Sequence, residues 1–344
     1  MKKVSYKAAG VDIAAADATK KEMAASLTKN TLVLNQIGAF ASVCDASFAG
    51  IRHPVLVCKT EEPGSKQLLA FQHGRIESIC LDLINHLVND VIVMGAKPLF
   101  IQDLIVCGKI EKDVVAGLVK YMAKAAGAQG AVLTGGETSE QPGVLAPGTY
   151  VLGASCIGVA EKDAIIDGSK IKEGDTVLAV ESSGLHTNGY SLVRALIKED
   201  ASILEEKVGG KSFLDTIMEP HRCYYNAFKD LFGNASLHGI AHITGGGIPG
   251  NLNRILPKVL DAEIDASAIK ILDVFKFIKE KSQNDDADMM RTFNLGVGAT
   301  LVVDPRAEKE MISHLKKFSL LCYPIGKIVK EGSQNVLMKG SLSW

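Results

Sequence analysis

Short apolar runs alternate along this chain with longer stretches in which apolar residues recur every three or four positions. The short runs at 55–58 and 99–107 are typical of strands, and residues 79–94 have the period of an amphipathic helix. Further strands are expected at 131–134, 152–159, 176–180, 240–243, 299–303 and 324–329, and further helices at 190–197, 213–231 and 308–318. This alternation restricts the chain to a mixed α/β or α+β fold.

The length of the chain predicts two domains, because single cores stop growing near roughly 250 to 300 residues and this chain has 344. After Glu161 a stretch rich in charge and glycine lacks long apolar periods, which marks the junction. We therefore expect an N-terminal domain at 1–165 and a C-terminal α/β domain at 166–344.

Charge and cysteine usage exclude several classes of partner and location. Lys plus Arg number 38 against 39 Asp plus Glu, and no run of like charges occurs, so neither nucleic acid nor an anionic membrane is an expected partner. The seven cysteines are scattered singly, without metal-ligand spacing, as in reduced cytoplasmic proteins. No uncharged apolar run of membrane-spanning length, about 18 residues, is present. A small molecule or another protein is the expected partner.

Two carboxylates and an amide align on the helix expected at 79–94. Asp82, Asn89 and Asp90 fall on one side, two turns apart. Such oxygen ligands suit a hard cation such as Mg²⁺, which keeps water and phosphate in its remaining positions. An ordinary solvated helix face has the same pattern.

Two loops that follow strands in the first half carry further oxygen and ammonium groups. Gly135, Gly136 and Glu137 follow one strand, where glycines allow close approach of a ligand and the carboxylate can join a metal site. Residues 59–66 follow another and mix acids, hydroxyls and lysine, which are the groups a metal-triphosphate needs. A plain glycine turn and a charged hairpin loop are the alternatives.

Two glycine-rich loops follow strands in the second half, at 182–189 and 244–247. Loops of this kind expose backbone N–H groups and can bind phosphate, although ordinary connecting turns look the same. Neither loop fits the Walker or the dinucleotide-binding pattern, which disfavours P-loop NTPases and Rossmann dehydrogenases. His186 lies inside the first loop, where contact with a ligand is as reasonable as a structural role.

Taken together, the motifs resemble the aminoimidazole ribonucleotide synthetase family, also called phosphoribosylformylglycinamidine cyclo-ligases. The matching stretches occur in the family's order and cover the chain from about residue 5 to its end. They are residues 5–13, 89–90, 95–100, 135–138, 165–170, 182–194, 242–247 and 291–298.

The resemblance implies a fold, a reaction and a set of site residues. It implies an N-terminal domain whose sheet pairs with that of a second subunit in a homodimer, and ATP-dependent ring closure of a phosphoribosyl substrate with Mg²⁺. The implied catalytic residues are His186, Asn188 and Lys66. The implied ATP-binding residues are Thr60, Glu61, Lys66, Asp82, Asn89, Asp90, Gly135, Gly136 and Glu137, of which Glu61, Asp82, Asp90 and Glu137 bind the metal. The implied substrate-binding residues are Ser183, Gly184, His186, Asn188, Gly189, Thr244, Gly245, Gly246 and Gly247.

Departures from the family pattern cluster in the half of the chain expected to bind ATP. Glu61, Glu62 and Pro63 stand where the family reads Asp-Gly-Val, and Lys97 stands where an acid is usual. The glycine-rich loop of the family is replaced at 35–41, and Val151 and Gly153 differ from the family's Asp and Ala. Two alternatives therefore stay open, a small-molecule kinase of the same architecture and a non-catalytic nucleotide-binding paralogue.

Overall fold

A computed structural model describes residues 30–35, 41–330, 332 and 334–344. The family-like stretch at 5–13 and most of the altered loop at 35–41 lie outside the described residues. The chain divides into two compact units. One consists of Met1–Val91 with Lys97–Lys162, and the other of Ile92–Ala96 with Asp163–Trp344. The mixed α/β class expected from the sequence is confirmed.

The first unit is built on a four-stranded sheet with helices between its strands. Its elements are β1 (Pro54–Glu61), α1 (Lys66–Gln72), α2 (Ile76–Ile92), β2 (Lys97–Cys107), α3 (Lys112–Ala128), β3 (Val132–Glu140) and β4 (Tyr150–Glu161). The strand order is β1-β4-β2-β3, in which only the β2 and β3 pair is parallel. The apolar residues of α2 from Ile79 to Ile92 are fully buried, except for the half-buried Leu81, as its period predicts.

The two faces of this sheet differ in how they are covered. On one face, Ile101, Ile105 and Cys107 of the central strand β2 are fully buried. The opposite face, here called the open face, is covered at one end. There Phe100, Val132 and Val159 are packed by Leu32, Val33, Cys44, Phe48 and Ile51. Elsewhere on the open face large apolar side chains are exposed, namely Leu56 at 59%, Leu104 at 43% and Val151 at 40%.

The second unit is built on a six-stranded sheet with the order β12-β9-β11-β5-β10-β8. All neighbours in this sheet are antiparallel except β12 and β9. Its strands are β5 (Thr176–Glu181), β8 (Leu237–His242), β9 (Asp261–Asp265), β10 (Val297–Val303), β11 (Cys322–Val329) and β12 (Val336–Lys339), and a small hairpin is formed by β6 (Lys207–Val208) and β7 (Lys211–Ser212).

The α-helices of the second unit are mostly short. They are α4 (Tyr190–Glu199), α5 (Phe213–Ile217), α6 (Tyr225–Phe228), α7 (Gly247–Leu252), α8 (Asp273–Ser282), α9 (Asp286–Thr292) and α10 (Glu308–Lys316). No helix among the described residues is long and apolar enough to cross a membrane.

Two local expectations from the sequence are wrong. The single helix expected at 213–231 is broken into α5, α6 and a 3₁₀ turn, because Pro220 lies inside it and supplies no N–H for the helical ladder. The strand expected at 131–134 does not turn at the paired glycines. It continues as β3 to Glu140, because β2 provides a hydrogen-bonded partner along this whole length.

Candidate functional site

Lys66 and Asp82 form a buried ion pair in the first unit. Lys66 is the first residue of α1 and Asp82 lies on α2, and both side chains are fully buried. The ammonium nitrogen is 2.9 Å from Oδ1 and 2.7 Å from Oδ2 of the carboxylate. Removing one charge from water is unfavourable unless an opposite charge compensates it, so each residue stabilises the buried position of the other.

A second lysine joins two of the expected metal ligands. Lys59 Nζ is 2.9 Å from Glu61 Oε2 and 2.9 Å from Asp90 Oδ2. Burial alone would lower the pKa of Lys59, but its hydrogen bonds to the two carboxylates outweigh this effect and raise the pKa. His86 lies one turn before Asp90 on α2, and its Nε2 is 3.9 Å from an oxygen of each carboxylate. Lys59 begins the loop 59–66 noted in the sequence, but neither Lys59 nor His86 was expected as a site residue.

The paired glycines of β3 lie against β2. Gly136 is level with Asp103 in the parallel register, and a Cβ at Gly136 would lie 2.1 Å from the carbonyl oxygen of Asp103 and 2.5 Å from its Oδ1. Gly135 has φ +144°, a backbone conformation that L side chains rarely adopt. Glycine is therefore required at 136 by the approach of β2, independently of any ligand.

Asp103 is a buried acid that sequence analysis missed. It is 7% exposed, and its Oδ2 has no hydrogen-bond partner among the described residues. Burial raises its pKa to about 7, with a smaller contribution from the charge of Glu137. Nothing in the sequence around Asp103 indicated a function. The alternation of a strand predicts which positions are buried, but it does not predict that a polar residue at a buried position has a role.

Some of the expected ATP-binding residues do not lie together. Glu61 lies on the same face of β1 as Lys59, whereas Thr60 points to the open face, where its hydroxyl is 2.8 Å from that of Ser155. Glu137 is exposed. It is level with Leu104 in the register of β2 and β3, so like Leu104 and Thr60 it lies on the open face. Asn89 is fully buried on α2. The interpretation of 82–90 as a solvated helix face is therefore wrong, whereas the ligand roles stay predictions.

In the second unit, the loop at 182–189 connects β5 to α4. The hydroxyl of Ser183 donates to the carbonyl of Pro220 at 2.7 Å, and the amide of Ser183 donates to His186 Nε2 at 3.2 Å. His186 is 1% exposed and has φ +60°. At Gly189 (φ +80°) a Cβ would lie 2.0 Å from the ring of Phe293. The expected substrate loop is thus held in one conformation by its neighbours.

Three buried histidines meet beside this loop. The ring of His221 stacks on that of His186 with centroids 3.8 Å apart, and its Nε2 is 3.0 Å from Nε2 of His242. Nitrogens of the three rings lie within 4.8 Å of one another, which is compatible with a metal. However, the Nε2 of His186 already accepts the amide of Ser183, so its lone pair is used. Stacking and hydrogen bonding hold the three rings together, and sequence analysis had not identified His221 as part of the cluster.

The loop at 244–247 lies against the loop at 182–189. A Cβ at Gly245 would be 3.2 Å from Asn188 Oδ1, so these two expected substrate residues are in contact. The side-chain amide of Asn251 donates to the carbonyls of Gly245 at 3.1 Å and Gly247 at 2.8 Å, and its Oδ1 accepts the Thr244 hydroxyl at 3.1 Å. Asn251 therefore fixes this loop from its own helix.

Asn294 joins the first loop to the start of β10. Its amide donates to the carbonyl of Gly184 at 2.9 Å, and its Oδ1 accepts the Ser182 hydroxyl at 3.1 Å and the Gly296 amide at 2.8 Å. The family-like stretch at 291–298 is thus part of the same structure as the stretch at 182–194.

Family models match both units. The model for the N-terminal domain of AIR synthase related protein matches residues 51–160, and that for the C-terminal domain matches residues 172–339. The chain therefore has the domain composition of an AIR synthase related protein.

Curated relatives narrow the class to one family. Proteins named phosphoribosylformylglycinamidine cyclo-ligase are 37% identical in Nitrosococcus oceani (96% of this chain, 93% of the relative) and 41% in Methylobacillus flagellatus (90% and 91%). A third, in Carboxydothermus hydrogenoformans, is 38% identical over 98% of this chain and 99% of its own. The chain belongs to the phosphoribosylformylglycinamidine cyclo-ligase family.

Solved structures with the same fold are more distant in sequence. Thiamine-monophosphate kinase from Stenotrophomonas maltophilia has a TM-score of 0.67 and 15% identity, with 97% of this chain and 98% of that chain covered. The E. coli hydrogenase maturation protein HypE has a TM-score of 0.69 and 16% identity, with 94% of each chain covered. These similarities show that proteins outside the cyclo-ligase family share the fold of this chain. They carry no information about its substrate.

Proposed function

We propose that this protein closes the imidazole ring of aminoimidazole ribonucleotide from formylglycinamidine ribonucleotide, using ATP, in de novo purine biosynthesis. The observation that carries the proposal is that similarity to the cyclo-ligases extends over both units, with at least 90% of this chain covered in each of the three relatives. In the second unit, the two loops expected to bind the substrate are in contact through Asn188 and Gly245.

The reaction asks the protein to position its reactants and to neutralise charge. An amide oxygen leaves poorly, so ATP phosphorylates it, the ribose-bearing nitrogen attacks the activated carbon, and phosphate leaves as the ring closes, with ADP as the other product. The glycine loops at 182–189 and 244–247 offer backbone N–H groups to the phosphoribosyl part of the substrate. His186 and Asn188 orient the reacting atoms from the first loop, and Lys66 belongs to the proposed nucleotide site.

Mg²⁺ is proposed at the carboxylates of Glu61, Asp82, Asp90 and Glu137, whose oxygens are the hard donors the ion prefers. When bound, it neutralises the charge that develops on the transferred phosphoryl group. The fit is incomplete in two respects. Three of the four carboxylates contact a lysine ammonium group, and Glu137 lies on the open face of the sheet whereas Glu61 lies on the opposite face. The lysines supply part of the positive charge themselves.

A homodimer formed through the open face is part of the proposal. The exposed side chains of Leu56, Leu104 and Val151 lie on that face, and apolar side chains exposed together on a sheet favour burial against a partner. We also propose a cytoplasmic location, supported by the seven cysteines, all of which lie in the described part of the chain and are free thiols.

The experiment that tests the function is an assay of the purified protein with formylglycinamidine ribonucleotide and Mg-ATP. We expect ADP, phosphate and aminoimidazole ribonucleotide in equal amounts. Hydrolysis of ATP without imidazole formation would point to a kinase-like enzyme of the same architecture. If neither product forms, the protein is a non-catalytic paralogue and the proposal is wrong.

A further inference from the structure

Lys59 reaches the Glu61 and Asp90 carboxylates because of where the backbone puts it. Lys59 and Glu61 are two residues apart on β1, so strand alternation places both on one face. Asp90 comes from the last turns of α2. The three side chains are only partly exposed, at 35% for Lys59, 23% for Glu61 and 18% for Asp90.

The ammonium of Lys59 stands where a cation shared by the two carboxylates would stand. Its nitrogen is 2.9 Å from one oxygen of each. A Mg²⁺ ion bound to the same two oxygens would lie about 2.0 to 2.1 Å from each of them. The ion and the ammonium group would then occupy overlapping positions between the two carboxylates, and two adjacent cations repel each other.

We propose that Lys59 is a resident cation of the Glu61 and Asp90 pair, so that this pair binds no divalent cation in the nucleotide-free protein. The inference rests on the proposed assignment of Glu61 and Asp90 to the nucleotide site. It changes their role, since they hold Lys59 in place and the lysine supplies positive charge that a metal would otherwise supply. The Asp82 carboxylate is already compensated by Lys66 in the same way.

The test measures Mn²⁺ binding by the loss of the free-ion electron paramagnetic resonance signal, without nucleotide or substrate. Lys59→Met removes the charge and replaces lysine with an uncharged side chain that is also unbranched. Lys59→Gln serves as a second variant. We expect each variant to gain one Mn²⁺ site at least 10-fold tighter than any in the parent protein. Adding Asp90→Asn to Lys59→Met should abolish the gained site.

Lys124→Met is the matched control, because Lys124 forms an ion pair of 2.8 Å with Glu77 elsewhere in the same unit. It should leave Mn²⁺ binding unchanged. The inference is overturned if folded Lys59→Met and Lys59→Gln proteins bind the same number of Mn²⁺ ions as the parent, with the same affinity. Since no turnover is measured, this result is separate from a failure of the proposed ring closure, which the product assay reports.

Discussion

The carbonyl oxygen of Asp103 lies so close to Gly136 that a Cβ on Gly136 would be 2.1 Å from it. The two residues are paired across β2 and β3, so neither backbone can move aside without disturbing this ladder. We expect Gly136→Ala to lower the free energy of unfolding by about 3 kcal/mol or more, the upper part of the range for overpacking.

Urea unfolding followed by circular dichroism measures this loss. Gly153→Ala in the neighbouring β4 is the matched control, because a Cβ there has no contact shorter than 3.7 Å. Equal stability of the two variants would show that β3 can shift away from Asp103.

Asp103 should make the stability of the protein depend on pH in a defined direction. Its pKa is about 7 in the folded protein, raised from the ordinary value of 3.8 chiefly by burial. Between those two values the folded state binds more protons than the unfolded state, so stability falls as the pH rises towards 7, by at most about 1.4 kcal/mol per pH unit. Above pH 7 the penalty is complete.

Asp103→Asn removes this dependence while keeping the shape of the side chain. We expect its stability relative to the parent to increase from pH 4 to pH 7 and then to level off, in urea titrations without Mg²⁺. A difference that is the same at pH 5 and pH 8 would contradict the raised pKa.

Glu61 and Glu62 should differ sharply in their effect on turnover. Glu61 contacts Lys59, whereas the Glu62 carboxylate accepts the amide of Gly64 at 3.0 Å. We expect Glu61→Gln to reduce kcat by roughly 100-fold with little change in Tm, because the Glu61 carboxylate holds the positive charge that compensates the phosphoryl group, and such compensation is worth several kcal/mol. Glu62→Gln should have a much smaller effect. Steady-state kinetics of both variants measure the two losses of kcat. A larger loss for Glu62→Gln than for Glu61→Gln would mean that the loop is misassigned by one residue.

His221 should stabilise the histidine cluster through its hydrogen bond to His242. His221→Phe keeps an aromatic ring to stack on His186 but leaves the buried Nε2 of His242 without this partner. We expect a loss of about 1 to 3 kcal/mol in the free energy of unfolding, the usual cost of losing one partner of a buried hydrogen bond. His53→Phe is a control at an exposed position, where the side chain is 70% exposed. A His221→Phe protein as stable as the parent would show that the bond contributes nothing.

Leu104 should be part of the proposed dimer interface. Leu104→Arg places a charge in the middle of the open face, and burying an unpaired charge against a partner sheet is strongly unfavourable. Light scattering at micromolar concentration should show a dimer for the parent and a monomer for the variant. Val259→Arg, in the second unit and 65% exposed, should remain dimeric. A parent protein that is a stable monomer would refute the proposed interface.

Sequence patterns predicted the elements whose signals are local. The apolar period of 79–94 corresponds to α2, and the run at 99–107 lies within β2. The helix α3 was missed, although its buried positions from Val115 to Ala126 recur at helical spacing. The error at 213–231 came from extending one helical period across Pro220.

The parts of the site that could not be predicted depend on which elements pack together. Lys59 becomes part of the site because α2 brings Asp90 against β1, and no spacing in the sequence reports that contact. His221 joins His186 and His242 from a connection between short helices, so its neighbours lie far away along the chain. Glycine motifs were easier to recognise, because positions where another part of the chain comes very close to the backbone require glycine, and the glycine is visible in the sequence.

The contacts of Asn294 have a consequence for how the protein forms during synthesis. Its amide holds the carbonyl of Gly184, which lies 110 residues earlier in the chain. At 5 to 20 residues per second, a ribosome adds Asn294 about 5 to 20 s after Gly184. Until then the loop at 182–189 lacks the partner that fixes its backbone. A nascent chain truncated before Asn294 therefore carries the loop at 182–189 without the side chain that fixes the carbonyl of Gly184.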